Sequence, residues 1–171
     1  MNTLEVAKRQ DYETCFKIIN EGRNFQREQG FVQWDETYPT PEMISNDIDI
    51  GKGYVLKIDG VIAGYMYIDF SGDPAYLDIK GKWQSEEPYG VVHRMAFGKD
   101  FQGRGLSGIA FGLIEALCLE KGVRYIRIDT DFPNKRMQHV LTKNGFVNCG
   151  IIEFQGEKLA FDKFIASPDT H

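Results

Sequence analysis

Gln102-Gly103-Arg104-Gly105-Leu106-Ser107-Gly108 stands between a strand-like run and an amphipathic helix. At such a junction the first N–H groups of the helix lack intrahelical partners, and the positive end of the helix dipole lies beside them. Glycines let that backbone approach an anion closely, so the stretch reads as a phosphate cradle. Upstream, residues 90–97 read as a strand. Downstream, Leu106, Ile109, Ala110, Leu113 and Leu117 share a helix face that stops at Lys121-Gly122.

Further out, residues 4–6 read as a first strand and Asp11 as the N-cap of a helix carrying Tyr12, Cys15, Phe16, Ile19 and Phe25, closed by Gly30. An aromatic-rich loop follows. A second helix starts near Pro41, proline being favoured at the first helical position, and runs toward Lys52. Residues 54–58 and 61–70 flank Asp59-Gly60, a strong hairpin signal. Residues 71–89, broken by Pro74, Gly81 and Pro88, read as a long irregular connection. Residues 125–129 form a strand, 134–144 a helix closed by Gly145, and 146–154 with 158–164 a final strand pair. This order predicts an α/β fold with α+β character: one domain over residues 1–166, a mixed central sheet flanked by helices, and a short tail at 167–171.

Composition narrows the function. With 20 basic against 25 acidic residues the net charge is −5, which argues against a nucleic-acid footprint. The three cysteines (Cys15, Cys118, Cys149) form no C-x-x-C, and the three histidines (His93, His139, His171) form no H-x-x-x-H, so neither disulfide nor metal site is expected. No signal-like segment opens the chain and no apolar run approaches the roughly 20 residues of a membrane span. A cytoplasmic protein without membrane contact is expected.

Two phosphate ligands fit the spelling of the loop. Gly103-x-Gly105-x-x-Gly108 matches a dinucleotide fingerprint, with Asp129 or Asp131 at about the spacing of a ribose-binding acid. Those glycines, however, belong directly after the first strand of a βαβ repeat, whereas here Gly98-Lys99-Asp100-Phe101 intervenes and a hairpin precedes. Read from Gln102, the same loop resembles the acyl-CoA pyrophosphate loop of GNAT-type N-acetyltransferases, Arg/Gln-x-x-Gly-x-Gly/Ala. Val91-Val-His-Arg-Met-Ala-Phe97 resembles that family's central strand, Asn134 its pantetheine-side asparagine and Gly145-Phe146 its late Gly-Phe pair. Ser107 stands where the family usually has Gly or Ala but is small enough to keep the backbone approach, and Leu141 replaces a tyrosine that often protonates the leaving thiolate.

The resemblance implies acetyl transfer from acetyl-CoA to a primary amine by direct attack, with no metal. Gln102, Gly103, Arg104, Gly105, Leu106 and Ser107 would hold the pyrophosphate, the backbone of Met95, Ala96 and Phe97 the pantetheine and carbonyl, and Asn134 the pantetheine arm. Alkylamines are mostly protonated at neutral pH, so a base is needed. His93 on the central strand is the first candidate; Glu87 and Glu86 before it are alternatives. Trp34, Asp35 and Tyr38 would frame the acceptor, an aromatic face beside a carboxylate suiting a cationic amine. The acceptor, a small molecule or a peptide amine, stays open. The resemblance also implies pairing into a homodimer. Leu141 keeps a second reading alive, that of a non-catalytic acyl-CoA-binding module.

Overall fold

The structure, a computed structural model, describes residues 1–165; the tail at 167–171 lies outside them. The elements are β1 (Asn2–Val6), α1 (Tyr12–Glu28), α2 (Pro41–Asp49), β2 (Gly53–Ile58), β3 (Val61–Asp69), β4 (Lys80–Gly81), β5 (Gly90–Phe97), α3 (Leu106–Glu120), β6 (Tyr125–Thr130), α4 (Lys135–Lys143), β7 (Val147–Glu153) and β8 (Glu157–Phe164). Eight strands and four helices make the mixed α/β fold read from the sequence. The chain divides into two compact units. The first comprises Met1–Ile68 and His93–Ala110; the second comprises Asp69–Val92 and the chain from Phe111.

In the first unit β1, β2, β3 and β5 lie in that order, β1–β2 and β2–β3 pairing antiparallel. The hairpin turn places Asp59 at φ 50° and Gly60 at φ 82°, the mirror-image geometry that suits strand twist. On α1, Cys15, Ile18, Ile19 and Gly22 recur at helical spacing and are buried. The chain enters that helix through a 3-10 turn over Arg9–Asp11, so Asp11 is already helical (φ −88°, ψ −6°). Its carboxylate accepts from the Lys8 N–H at 2.8 Å and caps the 3-10 turn rather than α1. Thr40 caps α2, its Oγ1 accepting from the Met43 N–H at 3.2 Å, and Pro41 takes the first turn. The helix stops at Asp49, before Lys52, because Gly51 at φ 73° turns the chain away.

In the second unit Gly90 and Val91 of β5 pair parallel with Ile126 and Arg127 of β6, followed by β8, β7 and β4. Residues 71–89 hold more order than expected. A 3-10 turn over Pro74–Tyr76 and the two-residue strand β4 interrupt them, and β4 adds a strand to the expected order. Tyr76 and Trp83 enter a buried cluster with Val91, Ile152 and Ala160, because large aromatics outweigh the absence of periodicity. The Trp83 Nε1–H donates to the Tyr76 carbonyl at 3.0 Å. Arg127 is buried with its guanidinium carbon 4.3 Å from the ring centroids of both Trp83 and Tyr89, and its Nη2 donates to the Ser85 carbonyl at 2.6 Å. Gly81 faces Gly150 across β4 and β7. A Cβ on Gly81 would lie 2.1 Å from the Cys149 carbonyl oxygen, and one on Gly150 2.1 Å from that of Lys80.

Candidate active site

The loop that opens α3 is built from its anchor outward. β5 ends at Phe97, and the Gly98 N–H donates to the Ala63 carbonyl at 2.8 Å. A 3-10 turn over Lys99–Phe101 leads to Gln102 in extended conformation (φ −69°, ψ 144°). The Gln102 amide turns inward, its Nε2 donating to the carbonyls of Glu21 at 3.1 Å and Phe97 at 3.2 Å. Gln102 therefore ties the loop to α1 and to the end of β5. Gly103 and Gly105 follow at φ 74° and 70°, with nothing within 4 Å of where either Cβ would stand. Their requirement is conformational, and the space above them is open to a ligand. Arg104 is exposed, its guanidinium carbon 5.7 Å from the Phe101 ring centroid. Leu106 and Ser107 are half-buried in the first turn of α3, whose N–H groups have no acceptor within the helix.

β5 carries the adjoining backbone. Ala96 is buried, and two glycines let neighbours close on it. A Cβ on Gly22 of α1 would meet the Ala96 Cβ at 2.8 Å and the Trp34 ring at 3.2 Å, and one on Gly64 of β3 would meet the Ala96 carbonyl oxygen at 3.1 Å. Met95 and Phe97 on either side are half-buried. His93 is half-buried too and stacks on Tyr67, centroids 5.8 Å apart and planes 26° from parallel.

Between His93 and Met95, Arg94 has φ 53°, a left-handed conformation that costs roughly 1–2 kcal/mol for a residue with a Cβ. Its side chain is held on three sides. Nε and Nη2 donate to the two oxygens of Asp47 on α2 at 2.9 and 2.7 Å, Nη1 donates to the Tyr38 hydroxyl at 3.0 Å, and the guanidinium carbon sits 4.5 Å from the Tyr67 centroid. Asp47 also accepts from the Tyr65 hydroxyl at 2.7 Å. Burial alone would lower the Arg94 pKa; Tyr38 and Asp47 outweigh it and hold the guanidinium above its ordinary value. Burial, reinforced by Asp47, pushes the Tyr65 hydroxyl well up. Reading the sequence missed this cluster. The signal was Asp47 itself, a carboxylate on the buried face between Ile44 and Ile48, where a charge survives only with a partner.

The remaining site residues divide between the units. In the first, Trp34 is buried against Gly22, and its N–H donates to the Gln26 side chain at 3.0 Å. Tyr38 is buried and bound to Arg94. Asp35 is exposed and accepts from the Thr37 hydroxyl and N–H at 2.6 and 2.7 Å, bonds that lower its pKa. In the second, Glu87 is clasped by Arg124, whose Nε and Nη2 donate at 2.9 and 3.1 Å. Glu86 is exposed, 3.7 Å from Arg127. Asn134 caps α4, its Oδ1 accepting from the Met137 N–H at 3.1 Å. The structure thus gathers Trp34, Tyr38, Ala96 and the Gln102 anchor in the first unit, with Glu87 and Asn134 in the second. Among the described residues no helix is long and apolar enough to cross a membrane, and no group of three His, Cys, Asp or Glu side chains is placed to hold a metal ion.

The acetyltransferase (GNAT) family matches residues 19–146, most of the chain. The chain belongs to the GNAT acetyltransferase family. Among solved structures it is similar to a GNAT-family acetyltransferase from Streptococcus agalactiae at 29% identity and TM-score 0.88, covering 97% of this chain and 96% of that one. A GNAT-family acetyltransferase from Listeria monocytogenes shares 21% identity at TM-score 0.75, with 96% and 95% covered. The aminoglycoside acetyltransferase AAC(6')-Ib, solved with coenzyme A and kanamycin, shares the fold at 16% identity and TM-score 0.70, with 96% and 95% covered. No curated protein matches the chain.

As a GNAT acetyltransferase the protein is an acyltransferase, and two of its motif residues acquire structural reasons. Gly145 ends α4 at φ 89°, and the next residue, Phe146, is buried with its ring 5.2 Å from that of Phe111. Leu141 is fully buried, and its carbonyl accepts from the Phe146 N–H at 3.0 Å. The position carries packing and a helix end, and offers no proton donor.

Proposed function

We propose that this protein transfers an acetyl group from acetyl-CoA to a primary amine by direct attack, without an acyl-enzyme. The observation that carries the reading is the loop: two left-handed glycines under open space, at the start of a long helix, tied by Gln102 to the end of β5. Backbone N–H groups at residues 103–107 suit a pyrophosphate, with Arg104 as an exposed cation beside it. Met95, Ala96 and Phe97 supply backbone groups for the pantetheine and for polarising the thioester carbonyl; Asn134 is assigned to the pantetheine arm. The amine nitrogen attacks that carbonyl, the carbon–sulfur bond breaks, and sulfur departs as thiolate. A thiol pKa near 8.5 makes it a tolerable leaving group without an acid.

His93 is assigned to take the amine proton, directly or through water. Glu87 is the alternative, but its bidentate bond to Arg124 would have to open first. Trp34, Asp35 and Tyr38 frame a small-molecule or peptide amine. The kanamycin complex of AAC(6')-Ib makes a small-molecule amine a natural first choice for assay. The buried Leu141 supports one other reading, a module that binds acyl-CoA without turnover.

Incubating the protein with acetyl-CoA and a panel of amines, while following free thiol, separates these readings. Turnover that falls by about 10²-fold in His93→Ala, with acetyl-CoA affinity retained, is the expected result. Tight binding without turnover across the panel supports the module. Saturable NADH binding without affinity for CoA would sink both.

A further inference from the structure

The proposed reaction leaves one buried charge pair unused. Arg94 is, among the described residues, the only strand residue other than glycine with φ in the left-handed region. Such a kink persists only where its surroundings over-determine it. Here the surroundings are side chains of three segments: Asp47 of α2 takes the guanidinium fork, Tyr38 of the α1–α2 loop takes the third arm, and Tyr67 of β3 lies under the plane. Both charges are nearly closed off, with side-chain exposures of 12% for Arg94 and 4% for Asp47. A lysine would supply the charge but not the two parallel bonds.

We propose that Asp47 and Arg94 are positioning residues. Their fork holds the kink in β5 and thereby aims the N–H groups of Met95, Ala96 and Phe97, while the remaining arm fixes Tyr38 in the acceptor wall. One guanidinium then sets donor strand and acceptor wall together. The catalytic consequence rests on the acetyl-transfer reading; the structural part does not.

The test combines amide hydrogen exchange with kinetics on the full chain and on Asp47→Asn, Arg94→Lys and Arg94→Gly. Each variant is expected to speed exchange at residues 94–98 by about ten-fold and to lower kcat by about ten-fold or more, since small misplacements of positioned groups cost that much. Affinity for adenosine 3′,5′-bisphosphate, a CoA fragment reaching only the loop, is expected to stay within about two-fold, which a general collapse would not allow. Arg94→Gly is decisive because glycine tolerates the kink while lacking the clamp: unchanged exchange and kcat there overturn the proposal. Should Asp47→Asn fail to fold, Tyr38→Phe reads the other half. An acceptor KM raised about three-fold or more supports the coupling, and an unchanged one overturns it. If the unaltered protein acetylates no amine, the acetyl-transfer reading falls, and the exchange result alone decides the clamp.

Discussion

A methyl group added at Gly22 would stand 2.8 Å from the Ala96 Cβ, so α1 and β5 would have to separate to admit it. Overpacking of this kind costs about 1–3 kcal/mol, against a helix-propensity gain of about 1 kcal/mol. Gly22→Ala should therefore lose up to about 2 kcal/mol of stability and the bulkier Gly22→Val more. Urea midpoints ranked in the opposite order would dismiss the packing account. The thiols of Cys15 and Cys118 make a second case, both fully buried and pushed up to about 12, chiefly by burial and then by Asp11 and Glu115 respectively. An unfolded thiol ionises near 9.0, so above that pH the unfolded chain holds fewer protons than the folded one. Stability should fall as pH rises from about 9 toward 12, by about 1.4 kcal/mol per unit for each thiol. Urea titrations at rising pH should show this slope, and the double variant Cys15→Ala, Cys118→Ala should reduce it by those two contributions, Cys149 and the buried Tyr65 and Tyr125 contributing to the rest. At this scale the sequence yielded the glycines of the loop and Gln102, because their spacing is local. It concealed Arg94, because a backbone angle of 53° and a partner on α2 leave no mark in neighbouring residues.

Elements were more legible than single contacts. The strand read over residues 90–97 is β5 as found, and α3 starts at Leu106 as its apolar spacing implied. Strand β4 escaped because two residues carry no periodicity, and Asp11 misled because a 3-10 turn uses the same capping carboxylate as an α-helix. Gln102 ties the loop to α1 and to the end of β5. Gln102→Ala removes both anchoring bonds, each worth about 1 kcal/mol, so unfolding should lose up to about 2 kcal/mol, and on the proposed reading acetyl-CoA binding should weaken by about ten-fold. Urea unfolding measures the first and calorimetric titration the second; an unchanged affinity would assign Gln102 to stability alone. Likewise Thr40→Ala, which strips the cap from α2, should cost about 1 kcal/mol.

Across the whole molecule, the order of strands and helices was readable because hairpin, cap and glycine signals fall at element ends. The interior of the second unit was not. Its core is assembled from Tyr76, Trp83 and Tyr89, spaced irregularly, around a buried cation that no hydrophobic pattern announces. Arg127→Ala should leave the Ser85 carbonyl without this partner and a void between rings, costing about 2–5 kcal/mol and lowering the melting temperature by many degrees. A shift of only a degree or two would mean that the rings close without the cation. The facing glycines of β4 and β7 have a consequence for strand register. A Cβ on either would meet a carbonyl oxygen of the facing strand at 2.1 Å, and both glycines sit at φ values where side chains are rarely accommodated (136° and 139°). A change at either position therefore has no compensating change at the other. A one-residue slip that set Lys80 against Gly150 would bring a side-chain-bearing residue to the place Gly81 now takes, so the two glycines fix the register of β4 on β7 as well as its sequence.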